Sequence, residues 1–204
     1  MKIAQKYSHL NGEEYLIVHH NNLYKEIFSV IKSINAKLYL IKESKEKTMP
    51  GAILYSPIAL NKAFGEKFNK LGWSESVYKY YVSTDQKIIP ELITLPYNKQ
   101  KEFLISKGVK EPIPSHKQTD FVKDQIAVEI QFGKYAFVAY DLFVKHLLFY
   151  SGGVINLGIE ILPTKKMQSE MSTGIAYYEG EVYNVLRHGR NNPPVPLLIF
   201  GIEP

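Results

Sequence analysis

Between Thr119 and Asp141 the chain reads TDFVKDQIAVEIQFGKYAFVAYD. From Ile126 to Phe132 it alternates. Ile126, Val128, Ile130 and Phe132 point one way, and Ala127, Glu129 and Gln131 the other, which is strand periodicity with one apolar face. Glu129 and Gln131, two residues apart, therefore stand on the same side. If Asp124-Gln125 forms a two-residue turn, although neither Gly nor Asn is present, the hairpin register sets Asp120 across from Glu129, with Cβ atoms roughly 5 Å apart. Two carboxylates held side by side repel each other unless a cation lies between them. The arrangement thus points to a hard-metal site, with Mg²⁺ as the expected ion.

Downstream, Gly133 breaks the alternation and Tyr135–Phe149 reads as a strongly apolar helix packed beneath the sheet, ended by Ser151-Gly152-Gly153. Val154–Leu162 follows as a buried strand, so the three pieces make a strand–helix–strand crossover. Glu160 either faces outward or supports the site, and the outward reading is preferred. Lys165–Thr173 is polar and loop-like, Tyr177–Leu186 helical, Arg187–Asn192 a loop, and Val195–Ile202 a last strand after Pro193-Pro194.

Upstream, Ile3–Ser8 reads as a strand. Leu23, Ile27, Val30, Ile31 and Ile34 mark a helix capped by Asn21 or Asn22. Glu13 and Glu14 could place an extra carboxylate near the metal but read better as a solvated face, and His19 and His20 are assigned to the surface. Ala36–Lys42 reads as a strand leading into the lysine-dense loop Lys42–Thr48. Ser56-Pro57 opens a helix (Ile58, Leu60, Phe64, Phe68, Leu71) that Gly72 can end. Trp73–Ser83 is an aromatic strand. Patterning weakens over residues 84–118, where Lys87–Leu95 is strand or short helix, Asn98–Lys107 a helix closed by Gly108, and Glu111–Lys117 a connector. The expectation is an α/β fold in one domain spanning residues 1–204, with at most a small subdomain.

The chain has 204 residues, no cysteine, a net charge of +5 and a pI near 9.1. Disulfides, zinc-thiolate centres and thiol catalysis are excluded. The stretch Met1–Lys6 lacks the apolar core of a signal peptide, and no apolar run approaches the ~20 residues that span a bilayer. The expectation is a soluble, cytoplasmic protein without membrane contact. Basicity suits a polyanionic partner. Of 25 basic residues only Arg187 and Arg190 are arginine, which puts two planar, bidentate-capable forks three residues apart.

Asp120, a spacer, then Glu129-Ile130-Gln131 on a strand resembles the PD-(D/E)XK nuclease motif. The acid-X-Gln variant with Phe132-Gly133-Lys134 after it is similar to the type II restriction endonucleases of the BglII/BstYI group, and within that group to BstYI most of all. The likeness extends through Lys42-Glu43-Ser44-Lys45-Glu46-Lys47, the 119–145 block, Tyr177-Tyr178-Glu179-Gly180-Glu181 and Gly201-Ile202-Glu203-Pro204. It implies a restriction-endonuclease-like mixed β-sheet core flanked by helices, and a homodimer that cuts double-stranded DNA with Mg²⁺. The implied target is a GATC-centred palindrome, purine-GATC-pyrimidine, cut before the G to leave 5′ overhangs. A cognate methyltransferase belongs to such a system without being a bound partner.

By the same resemblance Asp120 and Glu129 hold Mg²⁺, joined by the Ile130 backbone carbonyl. Gln131 replaces the usual lysine. A neutral amide is far too weakly basic to take a proton, so it can only orient water or brace the metal shell. Lys134 is a candidate to restore the charge or to contact DNA. Arg187 and Arg190 are candidates for guanine edges, Ser172 and Thr173 for other base edges, and Lys45 and Lys47 for phosphates. The alternative reading is a sequence-specific DNA-binding protein on a nuclease fold that has lost cleavage, suggested by Gln131.

Overall fold

Asp124 and Gln125 both take positive φ, 47° and 63°, the sign that a type I′ turn requires at its two central residues. Neither is glycine. The turn is pinned instead by Asn156, whose backbone N–H donates to the Gln125 carbonyl and whose side chain donates to Gln125 Oε1, each at 2.7 Å. The hairpin register follows: Lys123 faces Ile126, Val122 faces Ala127 and Phe121 faces Val128. The next pair in that register is Asp120 with Glu129, as the sequence predicts.

The computed structural model describes residues 1–133 and 135–204. The strands are β1 (Lys2–His9), β2 (Leu40–Glu43), β3 (Ile53–Tyr55), β4 (Ser74–Val82), β5 (Ile113–Lys123), β6 (Ile126–Ile130), β7 (Leu157–Pro163) and β8 (Leu197–Glu203). The helices are α1 (Gly12–His19), α2 (Asn21–Ser33), α3 (Pro57–Lys70), α4 (Ile89–Leu92), α5 (Tyr97–Ser106), α6 (Tyr135–Tyr140), α7 (His146–Ser151), α8 (Lys165–Gln168) and α9 (Tyr178–Arg187). A π turn over Asp141–Lys145 joins α6 to α7. The main sheet is mixed, in the order β1-β8-β7-β6-β5-β4, while β2 and β3 form a separate hairpin. β6, β7 and β8 run parallel, with β1 antiparallel at one edge and β5 antiparallel beside β6. This is the expected α/β architecture, including the β6–helix–β7 crossover.

The chain divides into two compact units, residues 1–75 with 119–204, and residues 76–118. In the first, two apolar clusters lie on opposite faces of the sheet. One joins Ile27 and Ile31 of α2 and Phe64 and Phe68 of α3 to Val128, Ile159 and Phe200. The other joins Val138, Leu142 and Val185 to Leu197 and Ile199. Both faces of β6 and β7 are therefore covered, and every residue of the two strands is buried. Here the one-sided reading of 126–132 is corrected. The helix after Gly133 packs on the face that carries Glu129, and Glu160, read as outward-facing, is fully buried beside it in the register Glu129–Glu160.

Local signals explain other boundaries. Ser56 Oγ accepts the Ala59 N–H at 3.3 Å with Pro57 at the first helical position, as read, but Ile58 proves 83% exposed. Asn35 accepts the Lys37 N–H and opens a 3-10 turn over Ala36–Tyr39, so the expected strand starts only at Leu40. The residue ahead of α2 is His20, not an asparagine, and its carbonyl takes the Tyr24 N–H. Lys165–Gln168 is a helical turn capped by Thr164 rather than loop. In the smaller unit the buried Gln100 side chain accepts the Tyr81 N–H at 2.8 Å and donates to the Leu95 carbonyl at 2.9 Å, while Tyr81 stacks on Tyr97. Tyr81 of β4 is thus engaged in packing.

Gly158 on β7 leaves room for the ring of His146: a Cβ there would lie 2.5 Å from Nδ1 and 2.6 Å from Cγ. Gly158→Ala should therefore destabilise the protein by roughly 1–3 kcal/mol through forced displacement of a buried ring. Urea unfolding would measure this, and wild-type stability would mean that the ring moves freely.

Candidate active site

Glu129 occupies the middle of the sheet and is 1% exposed. A carboxylate there needs partners, and three donors converge on its Oε1: the Thr119 hydroxyl, the Asp120 backbone N–H at 3.2 Å and the Lys145 ammonium at 2.8 Å. Thr119 is itself buried, whereas Asp120 is exposed. The hairpin thus presents one buried and one accessible carboxylate as neighbours.

Lys145 comes from the opposite side, from the π turn. Its Nζ also lies 2.7 Å from Asp141 Oδ1, and the Gln131 side-chain amide donates to Asp141 Oδ2. A continuous polar chain therefore runs Gln131–Asp141–Lys145–Glu129–Thr119. Burial, and after it the Asp120 carboxylate, push Glu129 up to about 8, with Lys145 pulling the other way. Asp141 is raised by burial against the same ammonium. Burial works against the Lys145 charge, but Glu129 and Asp141 outweigh it and lift its pKa above the ordinary lysine value.

Beside Glu129, Glu160 Oε1 meets His146 Nε2 at 2.8 Å, and Glu160 Oε2 is buried with no hydrogen-bond partner among the described residues. Burial lifts the Glu160 carboxyl well above its usual range and depresses His146 to about 3. Both shifts run toward the uncharged forms, an imidazole and a carboxylic acid that can share a hydrogen bond without net charge.

Among the described residues no three His, Asp or Glu side chains close on one point as a preformed metal cage. Mg²⁺ does not demand such a cage, since it keeps several waters and takes one or two carboxylates plus substrate oxygens. Asp120 and Glu129, hard oxygen donors set against each other, fit that requirement.

The remaining sequence candidates fall in two places. Lys45 and Lys47 are exposed on the loop between β2 and β3, which is tied to residues 172–173. There the Glu46 carboxylate accepts the Thr173 N–H at 3.0 and 3.1 Å, and Lys42 donates to Ser172. Nearby, the Ala176 N–H meets the Gly133 carbonyl, which brings this segment to the Gln131 end of β6. Arg187 and Arg190 are exposed elsewhere. Tyr178 packs against Gly201 while Val185 clusters with Leu197, so α9 runs antiparallel to β8 and its arginine end lies at the start of β8. The structure does not bring the arginines to the Gln131 end. Ile130 is buried with its side chain in the α2/α3 cluster, and Lys134 lies outside the described residues.

Asp141, Lys145 and His146 were missed by sequence reasoning, which offers Glu160 a place supporting the site but prefers the surface. The available signal was an aspartate and a lysine four residues apart inside an otherwise apolar helix, a spacing that places both on one helix face.

The model of the restriction endonuclease BglII/BglIII family matches residues 4–202. A crystal structure of restriction endonuclease BglII complexed with a DNA 16-mer superposes with a TM-score of 0.67 at 20% identity, covering 100% of this chain and 79% of that one. Free BglII gives 0.61 at 16% identity, covering 100% and 80%. No curated protein sequence matches the chain.

Because Glu160 binds its proton more tightly folded than unfolded, its contribution to stability is complete below about 4.5 and is lost as pH rises through the folded value. Glu160→Gln, which copies the protonated form, should melt near wild type at about pH 5 and lose less stability than wild type by about pH 9. Thermal melts across that range test it, and an unchanged alkaline slope would remove Glu160 as a proton holder. On the acid side, His146 lowers stability from about 6.5 downward in both proteins.

Proposed function

This chain belongs to the restriction endonuclease BglII/BglIII family, and on that premise we propose that it cuts double-stranded DNA at a GATC-centred palindrome, with Mg²⁺, as a homodimer. Membership makes it a type II site-specific deoxyribonuclease. The finer reading is supported above all by one observation: a hairpin sets the accessible Asp120 against the buried Glu129, whose carboxylate is already oriented by three donors.

When bound, Mg²⁺ would supply charge stabilisation on the scissile phosphate and an acidified water. Asp120 and Glu129 would hold it, with the Ile130 carbonyl as a further oxygen. Gln131 is no base. Its amide is given to Asp141, so its role is to fix that carboxylate and, through it, Lys145. Covered sheet faces keep bulk water from the Glu129 side, which strengthens every charge interaction there.

Lys45, Lys47, Ser172 and Thr173 form the proposed DNA-facing group, since the two segments are joined to each other near the Gln131 end. Arg187 and Arg190 would meet DNA only along a different stretch of the duplex. The purine-GATC-pyrimidine target with cleavage before the G, the two-fold dimer that a palindrome requires, a partner methyltransferase in the same system and action in the cytoplasm complete the proposal. No helix among the described residues is long and apolar enough to cross a membrane.

Digestion of unmethylated plasmid with the purified protein, with Mg²⁺ and with EDTA, followed by sequencing of fragment ends, tests it. Mg²⁺-dependent bands with GATC overhangs are expected. Intact DNA together with a specific gel shift would favour the binding-only alternative. Asp120→Asn, at an exposed position, should lower cleavage on the order of 10³-fold, as loss of several kcal/mol of metal-borne stabilisation implies, with melting temperature and DNA binding retained. Lys45→Ala with Lys47→Ala should weaken binding alike on all sequences and reduce the salt slope by about 1 per lysine. A loss confined to the cognate site would instead make them base readers.

A further inference from the structure

We propose that Lys145 is the resident cation of the active site, a positioning residue that supplies from a π turn the positive charge absent at position 131. It holds Glu129 through Oε1, so that the other carboxylate oxygen and Asp120 receive the metal. The proposal rests on the reading of Asp120 and Glu129 as metal ligands.

The geometry is specific. Position 131 carries a neutral amide, and that amide is committed to Asp141. The ammonium at 2.8 Å from Glu129 Oε1 and 2.7 Å from Asp141 Oδ1 belongs to a side chain only 10% exposed, so it is a built-in charge and not a solvated one. A buried ion pair is weak evidence for stability, because well-packed apolar residues often serve that purpose as well or better. The backbone also departs from α geometry over the very five residues that begin with Asp141 and end with Lys145, and such π turns occur frequently at functional sites. A charge that is covalently part of the chain keeps Glu129 facing Asp120 before any metal arrives.

Three variants in the full chain test this: Lys145→Met, Lys145→Arg and the double variant Lys145→Met with Gln131→Lys. Each is melted in EDTA and in Mn²⁺, and each is assayed for single-turnover cleavage. Lys145→Met should melt roughly 10 °C lower in EDTA, as expected for a buried carboxylate stripped of its partner. It should gain more from Mn²⁺ than wild type does, because the ion now supplies the missing charge. Its cleavage should fall about 100-fold, the scale of losing one preorganised electrostatic contact. Lys145→Arg should keep the metal-free stability, and moving the lysine to position 131 should restore most of the cleavage and abolish the extra Mn²⁺ shift.

Wild-type cleavage by Lys145→Met, or a Mn²⁺ shift equal to that of wild type, would overturn the assignment. So would a folded double variant without recovery. Should Lys145→Met fail to fold, a folded Lys145→Arg and a folded double variant, both cleaving, would still sustain it. Absence of cleavage by the wild type itself would refute the metal-nuclease reading, and the melts would then decide the role of Lys145 alone.

Discussion

Everything around the site depends on one constraint: two acidic side chains, Glu129 and Glu160, stand side by side on adjacent parallel strands whose faces are both covered. Neither can be left charged and alone, since an unpaired buried carboxylate costs far more than the fold can spare. The chain resolves the two differently. Glu129 receives a cation, a hydroxyl and a backbone N–H on one oxygen. Glu160 takes a proton and a neutral imidazole. The first solution leaves a cation-paired carboxyl group facing the accessible Asp120, and the second leaves an inert one beside it. The two carboxyl groups, neighbours in the sheet, are distinguished by their partners.

Those partners come from consecutive residues. Lys145 ends the π turn and His146 begins α7, so one local widening of the helix delivers both. A regular α-helix turns 100° per residue and repeats its faces at i+4, and the π turn changes the angular relation between Asp141 and the residues of α7. Helix α6, by contrast, contributes Val138 to the apolar cluster, and α9 contributes Val185 from the next segment. Apolar packing thus places the segment, and the polar pairings set its rotation.

What could be read from the chain in advance was what short-range pattern decides. The hairpin register, the Asp120–Glu129 juxtaposition, the Ser56-Pro57 helix start and the strand–helix–strand crossover all follow from neighbours within a few residues, and they hold. Asp124-Gln125 shows the limit, because its left-handed turn is secured by Asn156, a residue of another segment. The burial of Glu160 and the arrival of Lys145 were not legible for the same reason. Alternation states which side chains share a face, but only the packing of 135–151 and α9 determines whether that face meets water. Likewise the basic loop 42–48 and the 172–173 segment each read as polar, while their union through Glu46 and Lys42 is a long-range fact.

The fit between Gly158 and the His146 ring ties three positions into one unit of inheritance. A side chain added at 158 displaces the imidazole, the imidazole cannot be lost without stranding the acid at 160, and that acid has no other hydrogen-bond partner among the described residues. Single changes at 146 or 158, or at 160 to anything but the isosteric glutamine, therefore lead downhill, whereas concerted ones need not. In a collection of related chains the three should vary together, exchange of Glu160 for glutamine apart.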